Sequence, residues 1–221
     1  LRIALAAGGV SLLVAFAPVL WHMAVPAPAP AAPQGTPWQV DHPAPGRTQV
    51  FGLDLPGSTL GQARTRWGED LAVALIDDRG AGTLALEAYL ERFDAGGVGG
   101  RLLLTFEVDP GAAARWRDRL PSAPTSSGAW RHRLDGAALA EAAGAPLAGV
   151  SFVPAARLDA AAVSARFGAP DRRVAEGAQR QHWLYPALGL AVMLDDEGRD
   201  LLQYVAPADF ERRLVAPLQA R

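Results

Sequence analysis

The chain contains no cysteine, no lysine and no asparagine. Without cysteine there are no disulfides, thiolate zinc sites, thiol catalysis or lipidated N-terminal cysteine. An oxidising compartment stays open, since cysteine-free chains fold there too. With lysine missing, all 21 basic residues are arginine, set against 23 acids for a formal charge of -2. The arginines are scattered rather than gathered, which argues against nucleic acid as a partner. The absence of Lys and Asn beside abundant Ala, Gly, Pro and Arg fits the codon bias of a GC-rich bacterial genome.

Histidine is scarce, and His22, His42, His132 and His182 do not stand at metal-ligand spacing, so no zinc site is expected. There is no G-x-S-x-G elbow, and the serines have no local catalytic partner. "DAGGVGGR" (94–101) lacks the Lys-Ser/Thr ending of a phosphate loop and does not open a helix; it reads as a glycine hairpin turn. "LDDEGRD" lacks the alternating aspartates of a calcium loop and reads as a polar hairpin tip. No cofactor and no catalytic residue is expected.

At 221 residues, half of them apolar, the chain has room for a real core. Residues 3–21, "IALAAGGVSLLVAFAPVLW", form an uncharged run of 19 residues that matches the hydrocarbon thickness of a bilayer at about 1.5 Å per residue. A buried helix and a cleaved signal peptide compete for this run with an uncleaved anchor, which is the expectation for 1–24. Arg2 is the one basic residue before the run, and the next is Arg47, so the N-terminus is expected in the cytoplasm and the rest in the periplasm. The Pro/Ala-rich stretch 25–37 reads as a polyproline II spacer or a plain linker.

Two phrases a hundred residues apart, "ARTRWGED" and "VSARFGAP", then line up with Gly68 on Gly168. Thr59 and Asp159 fall together as N-caps, and Thr59 with Gln62 spells a capping box. Leu60, Ala63 and Trp67 match Ala160, Val163 and Phe167, spaced three then four on one helical face. Gly68 and Gly168 read as left-handed helix stops, each preceded by the aromatic Trp67 or Phe167. After each helix come short strands with glycine or acidic turns. The expected architecture is α+β: an antiparallel sheet of two helix-plus-meander repeats, helices packed on one face, behind one transmembrane helix. The repeats are expected at 38–109, with a leading hairpin that turns at "HPAPG", and at 158–221, with a C-terminal helix from "PADFERRLVAP". The connecting segment 110–157 holds a helix capped by Asp109, a strand "AWRHRL", a helix capped by Asp135 and another strand in "LAGVSFVPAARL".

The pattern "LDAAAVSARFGAPD…HWLYPALGLAVMLDDEG" resembles the repeat of the BLIP/SmpA-type fold, the group of the β-lactamase inhibitor protein and the BamE outer-membrane assembly lipoprotein. The likeness covers 158–205 well and 58–109 weakly, and the chain lacks the lipobox cysteine. It also resembles proteobacterial proteins with one N-terminal span and a periplasmic domain. The resemblance implies fold and location, and no activity.

Trp183 and Tyr185 alternate on one face of their strand, where aromatics are either core under a helix or an exposed protein-binding patch. His182 shares the other face with Leu184 and is expected at the surface or at a sheet edge. In "ARWRDR" (114–119), Arg115 and Arg119 are expected in solvent and Trp116 inside. The expected function is a non-enzymatic, inner-membrane-anchored periplasmic protein-interaction module, or an accessory subunit of an envelope or membrane complex, that contacts another envelope or membrane protein, with Trp183, Tyr185 and His182 as candidate contacts. The rival is a periplasmic enzyme acting on an envelope glycan or lipid; close carboxylates in a deep pocket favour it, an open sheet face the binding module.

Overall fold

The computed structural model describes residues 35–219; the expected span at 3–21 lies outside the described residues. Among the described residues, no helix is long and apolar enough to cross a membrane. A small hairpin pairs β1 (Thr48–Val50) with β2 (Leu53–Leu55). Ten further strands make one sheet: β3 (Ala72–Asp78), β4 (Thr83–Ala95), β5 (Val98–Phe106), β6 (Ser122–Pro124), β7 (Trp130–Arg133), β8 (Leu147–Pro154), β9 (Arg172–Glu176), β10 (Arg180–Tyr185), β11 (Leu190–Asp195) and β12 (Leu201–Tyr204). Among the described residues five α-helices accompany them: α1 (Leu60–Trp67), α2 (Pro110–Arg119), α3 (Gly136–Glu141), α4 (Ala160–Phe167) and, continuing a π-helical turn at Glu211–Val215, α5 (Ala216–Gln219).

The strand order is β6-β7-β3-β4-β5-β8-β12-β11-β10-β9, and every neighbouring pair is antiparallel. The α+β class is therefore as the sequence reads, and the order reveals a regularity. From β3 inward the chain visits β3, β4, β5 and β8; from β9 inward it visits β9, β10, β11 and β12; the two runs meet at the central antiparallel pair β8 and β12. Each run follows one of the two glycine-stopped helices. The fourth strand of the first run is separated from its third by α2, β6, β7 and α3, so β8 lies inside the segment read as a connection. That segment holds α2, β6, β7 and α3, followed by the strand that completes the first run.

The local signals act as their chemistry dictates. Thr59 and Gln62 close a capping box at the start of α1, and Asp109, Asp135 and Asp159 each accept a backbone N–H at the start of α2, α3 and α4. Gly68 ends α1 at φ 57° and ψ -133°, and Gly168 ends α4 at φ 79° and ψ -167°. These conformations repel a Cβ through the backbone itself, while the space around both positions is open. Gly68→Ala and Gly168→Ala are each expected to cost about 1–3 kcal/mol in urea unfolding, by similar amounts.

Strand alternation builds one inner face. Leu90, Leu102, Phe152, Leu202, Val192 and Trp183 stand opposite one another in succession across six strands, and all are buried. Val163 of α4, Leu60 and Ala63 of α1, Ala113 and Trp116 of α2 and Ala138 of α3 join the same core. The β1–β2 hairpin covers the middle. Phe51 packs on Phe93, Phe152 and Tyr204 with ring centroids 5.3, 5.5 and 5.7 Å apart, and the buried Tyr204 hydroxyl donates to the Pro37 carbonyl at 2.6 Å. Tyr204→Phe leaves that carbonyl without its donor, an expected loss of about 1–2 kcal/mol that thermal unfolding reads directly.

Two expectations need correction. The expected pairing across "HPAPG" is present as one antiparallel bridge, Asp41 with Gln49, but the two-strand ladder turns at Phe51-Gly52, with both residues at positive φ, 52° and 70°. Two-residue hairpins take that conformation and signal it as Asn-Gly; a phenylalanine there conceals the turn, and its ring is held by the core. The helices also do not all lie on one face. Phe210, Leu214 and Val215, in and just before the C-terminal helical segment Glu211–Val215, pack on Leu184 and Ala191, whose side chains leave the opposite side of the sheet from Trp183 and Tyr185.

Candidate binding face

The outer face is thus unequal in its two halves. Over β10 and β11 the C-terminal helix closes it, whereas over β3, β4, β5 and β7 it lines an open cleft of about 810 Å³, within the size range of ligand-binding clefts. Register assigns the floor. Arg133 stands opposite Ala74, which stands opposite Glu87; Arg131 stands opposite Ile76; and Ala72 stands opposite Tyr89, which stands opposite Leu103. Cations from the β7 side, small and aliphatic side chains in the middle, and a carboxyl with a phenol beyond them therefore share one surface.

The charges there are not spent on each other. Among the described residues Arg131, Arg133 and Glu87 form no ion pair and no side-chain hydrogen bond, although other arginines of the fold are paired, as Arg115 with Glu141 at 2.6 Å and Arg180 with Asp195 at 2.7 Å. Glu87 is half-buried, and burial raises its carboxyl above the ordinary range. A carboxyl with a raised folded value favours the folded state below its unfolded value and loses that contribution as pH rises through the folded one. Glu87→Gln is therefore expected to raise the melting temperature at neutral pH, and the gain disappears below about pH 4, where the unfolded glutamate is also protonated. The Tyr89 hydroxyl is held by Glu91 at 2.6 Å, and Arg101 bridges to the same glutamate.

The residues singled out in the sequence lie elsewhere. Trp183 and Tyr185 are 4 % and 3 % exposed, on the inner face. Of the two alternatives for them, core under a helix is the one observed. Arg173 stacks on the Trp183 ring, Tyr185 packs on Phe167 at 5.7 Å, and its hydroxyl donates to the Gly168 carbonyl. His182, expected at the surface, is buried instead, with Nε2 2.7 Å from a Glu176 carboxylate oxygen. The four repeat residues keep matching surroundings: Trp67 packs edge-on against Phe93 of β4, as Phe167 packs against Tyr185 of β10, the corresponding strand. Arg115 and Arg119 are exposed and Trp116 buried, as the helical spacing predicts.

A second polar group lies beneath α2. His132 and Asp77 are both buried on the inner side of β7 and β3, with His132 Nδ1 3.2 Å from the Leu120 carbonyl oxygen and Nε2 3.9 Å from the Asp77 carboxylate. Ser122 stands opposite His132 in register, yet its hydroxyl bonds neither partner. The three are not a hydrogen-bonded triad. Among the described residues no cluster of three or more His, Cys, Asp or Glu is placed to hold a metal ion.

Comparison with known protein families, with curated proteins and with solved structures returned no match. The surface chemistry of the cleft carries the functional argument. Sequence reasoning missed its residues although part of the signal was present. "TLALEAYLERF" alternates so that Glu87 and Tyr89 share a face, and "WRHR" does the same for Arg131 and Arg133. Which outward face stays uncovered depends on where a helix about 80 to 120 residues further along the chain docks.

Proposed function

We propose that this chain is a non-enzymatic binding module that engages another envelope protein through the open half of its sheet. The observation that carries the reading is the asymmetry of the outer face: one half is sealed by Phe210 and Leu214, while the other leaves Ala72, Ile76 and Leu103 accessible beside unpaired charges. Apolar floor with charged flanks is the composition of a recognition surface. The edges of the sheet are poor alternatives, because β6 is three residues long and ends in proline and β9 carries Arg172 and Arg173. Two carboxylates line the cleft, Glu87 on its sheet floor and Glu69 just past the end of α1.

The larger reading retains the anchor at 3–21, a cytoplasmic N-terminus and a periplasmic domain, and a fold made by duplicating a BLIP/SmpA-type helix-plus-meander unit. The matched strand runs and the parallel packing of Trp67 and Phe167 support the duplication. The proposal is tested by co-purifying the native protein from its membrane in mild detergent, beside the variant Ile76→Arg/Leu103→Arg. Both sites are partly exposed, and an unchanged melting temperature checks that the variant keeps the fold. A protein retained by the native chain and lost by the variant is the expected result; equal retention by both overturns the assignment of this face.

A further inference from the structure

The floor of the cleft presents two arginines and a carboxyl on separate strands, unpaired with one another, while Arg64 and Glu69 line its α1 side. Arg131 and Arg133 project from alternate positions of β7, and Glu87 from β4, with β3 lying between. Two interstrand spacings put the β7 and β4 backbones about 9–10 Å apart. Ala74, directly between Arg133 and Glu87, is small enough to keep the gap open. A half-buried carboxyl left unpaired costs stability that an aliphatic residue at the same floor position does not, and two neighbouring guanidiniums repel each other. These costs are recovered when a ligand supplies a cation to one side and an anion to the other.

We propose that this cleft binds a short peptide with free termini, its carboxylate held by Arg131 and Arg133, its ammonium by Glu87, and its apolar side chains on Ile76 and Leu103. Two extended residues span about 7 Å, and the reach of the arginine side chains closes the remainder. Planar guanidinium groups pair with a terminal carboxylate through parallel N–H donors. The ammonium fills the role that no arginine of the chain takes beside Glu87. Ammonium binding requires the ionised glutamate, so affinity rises with pH through the raised value of that group. The inference goes beyond the docking reading: the peptide and a docked protein would both use Ile76 and Leu103 and so compete, and peptide binding is read in the purified chain with no partner present.

The test uses the full chain, purified in mild detergent, and isothermal titration calorimetry with three probes: dileucine, N-acetyl-dileucine and dileucine amide. Dileucine is expected to bind, and each blocked form to bind about tenfold more weakly or worse, the weight of one charge-assisted contact. Glu87→Gln is expected to erase the difference between dileucine and its acetylated form while keeping the preference for a free carboxylate. Arg131→Ala/Arg133→Ala is expected to do the converse. Arg133→Gln and Glu69→Gln serve as milder and neighbouring controls, with melting temperature confirming the fold. Absence of saturable dileucine binding, equal binding of all three probes, or loss of the ammonium preference in Glu69→Gln instead of Glu87→Gln overturns the assignment. None of these outcomes bears on whether a protein partner is retained by the Ile76/Leu103 surface.

Discussion

Replacing Phe152 with alanine is expected to lower the stability of the described domain by about 3–5 kcal/mol, read as a shifted urea midpoint at unchanged slope. Phe152 is fully buried at the middle of the sheet, on β8 beside the central pair with β12. Its ring packs on Phe51 and Phe93, and Gly100 of β5 carries no side chain because a Cβ there would come within 2.5 Å of that ring. Collapse around the missing ring is limited, because its neighbours are fixed by β-sheet register on one side and by the hairpin on the other. A cavity therefore persists, and cavity and lost transfer free energy add. The same change at Trp67, a partly buried ring on the helix side of the cluster, leaves a site that solvent and Arg66 can occupy, and its cost is expected to be smaller.

Gly189→Ala is expected to be comparably damaging, roughly 3–5 kcal/mol, for a different reason. Gly189 sits between β10 and β11 in the left-handed conformation, φ 63° and ψ 27°. Its carbonyl accepts the Val205 N–H at 2.8 Å. An alanine Cβ would collide with the Val205 carbonyl oxygen and lie 2.9 Å from the Thr48 hydroxyl. Both obstacles are fixed: one is backbone, and the other bonds the Leu188 carbonyl. Gly128→Ala provides the control. That glycine also has positive φ, 88°, but nothing lies within 4 Å of its added Cβ, so the backbone preference alone applies, about 1–2 kcal/mol. A Gly189 variant no less stable than the Gly128 variant would contradict the close packing of the β10–β11 turn against the hairpin.

The local grammar of this fold was legible because it is made by short-range physics. Thr59 with Gln62, Asp109 before Pro110, and the aromatic-glycine stops at Gly68 and Gly168 each satisfy groups a few residues away, and each acts in the structure as its spacing predicts. Long-range placement was not legible to the same degree. β8 looks like any other apolar strand in sequence, and its position as the fourth strand of the first run follows from pairing with β5 and β12 on either side. The alternation of Trp183 and Tyr185 was readable, yet whether that face is covered depends on α4 and the hairpin. The covering of the opposite face depends on Phe210 and Leu214. The candidate site suffers most from this, because an uncovered surface is defined by elements that do not reach it. Phe51-Gly52 is a miss of another kind: a tight turn whose first residue was selected for core packing, and so hid the local signal.

The functional claim concerns one half of one sheet face, and a position-specific measurement addresses it directly. A photo-reactive phenylalanine analogue is introduced at Leu103, half-exposed on the open side, and separately at Ala178, exposed in the turn between β9 and β10, and the full chain is irradiated in its native membrane. A discrete adduct with an envelope protein from position 103 and none from position 178 is the predicted outcome. Adducts from 178 with none from 103, in chains of unaltered melting temperature, contradict the account.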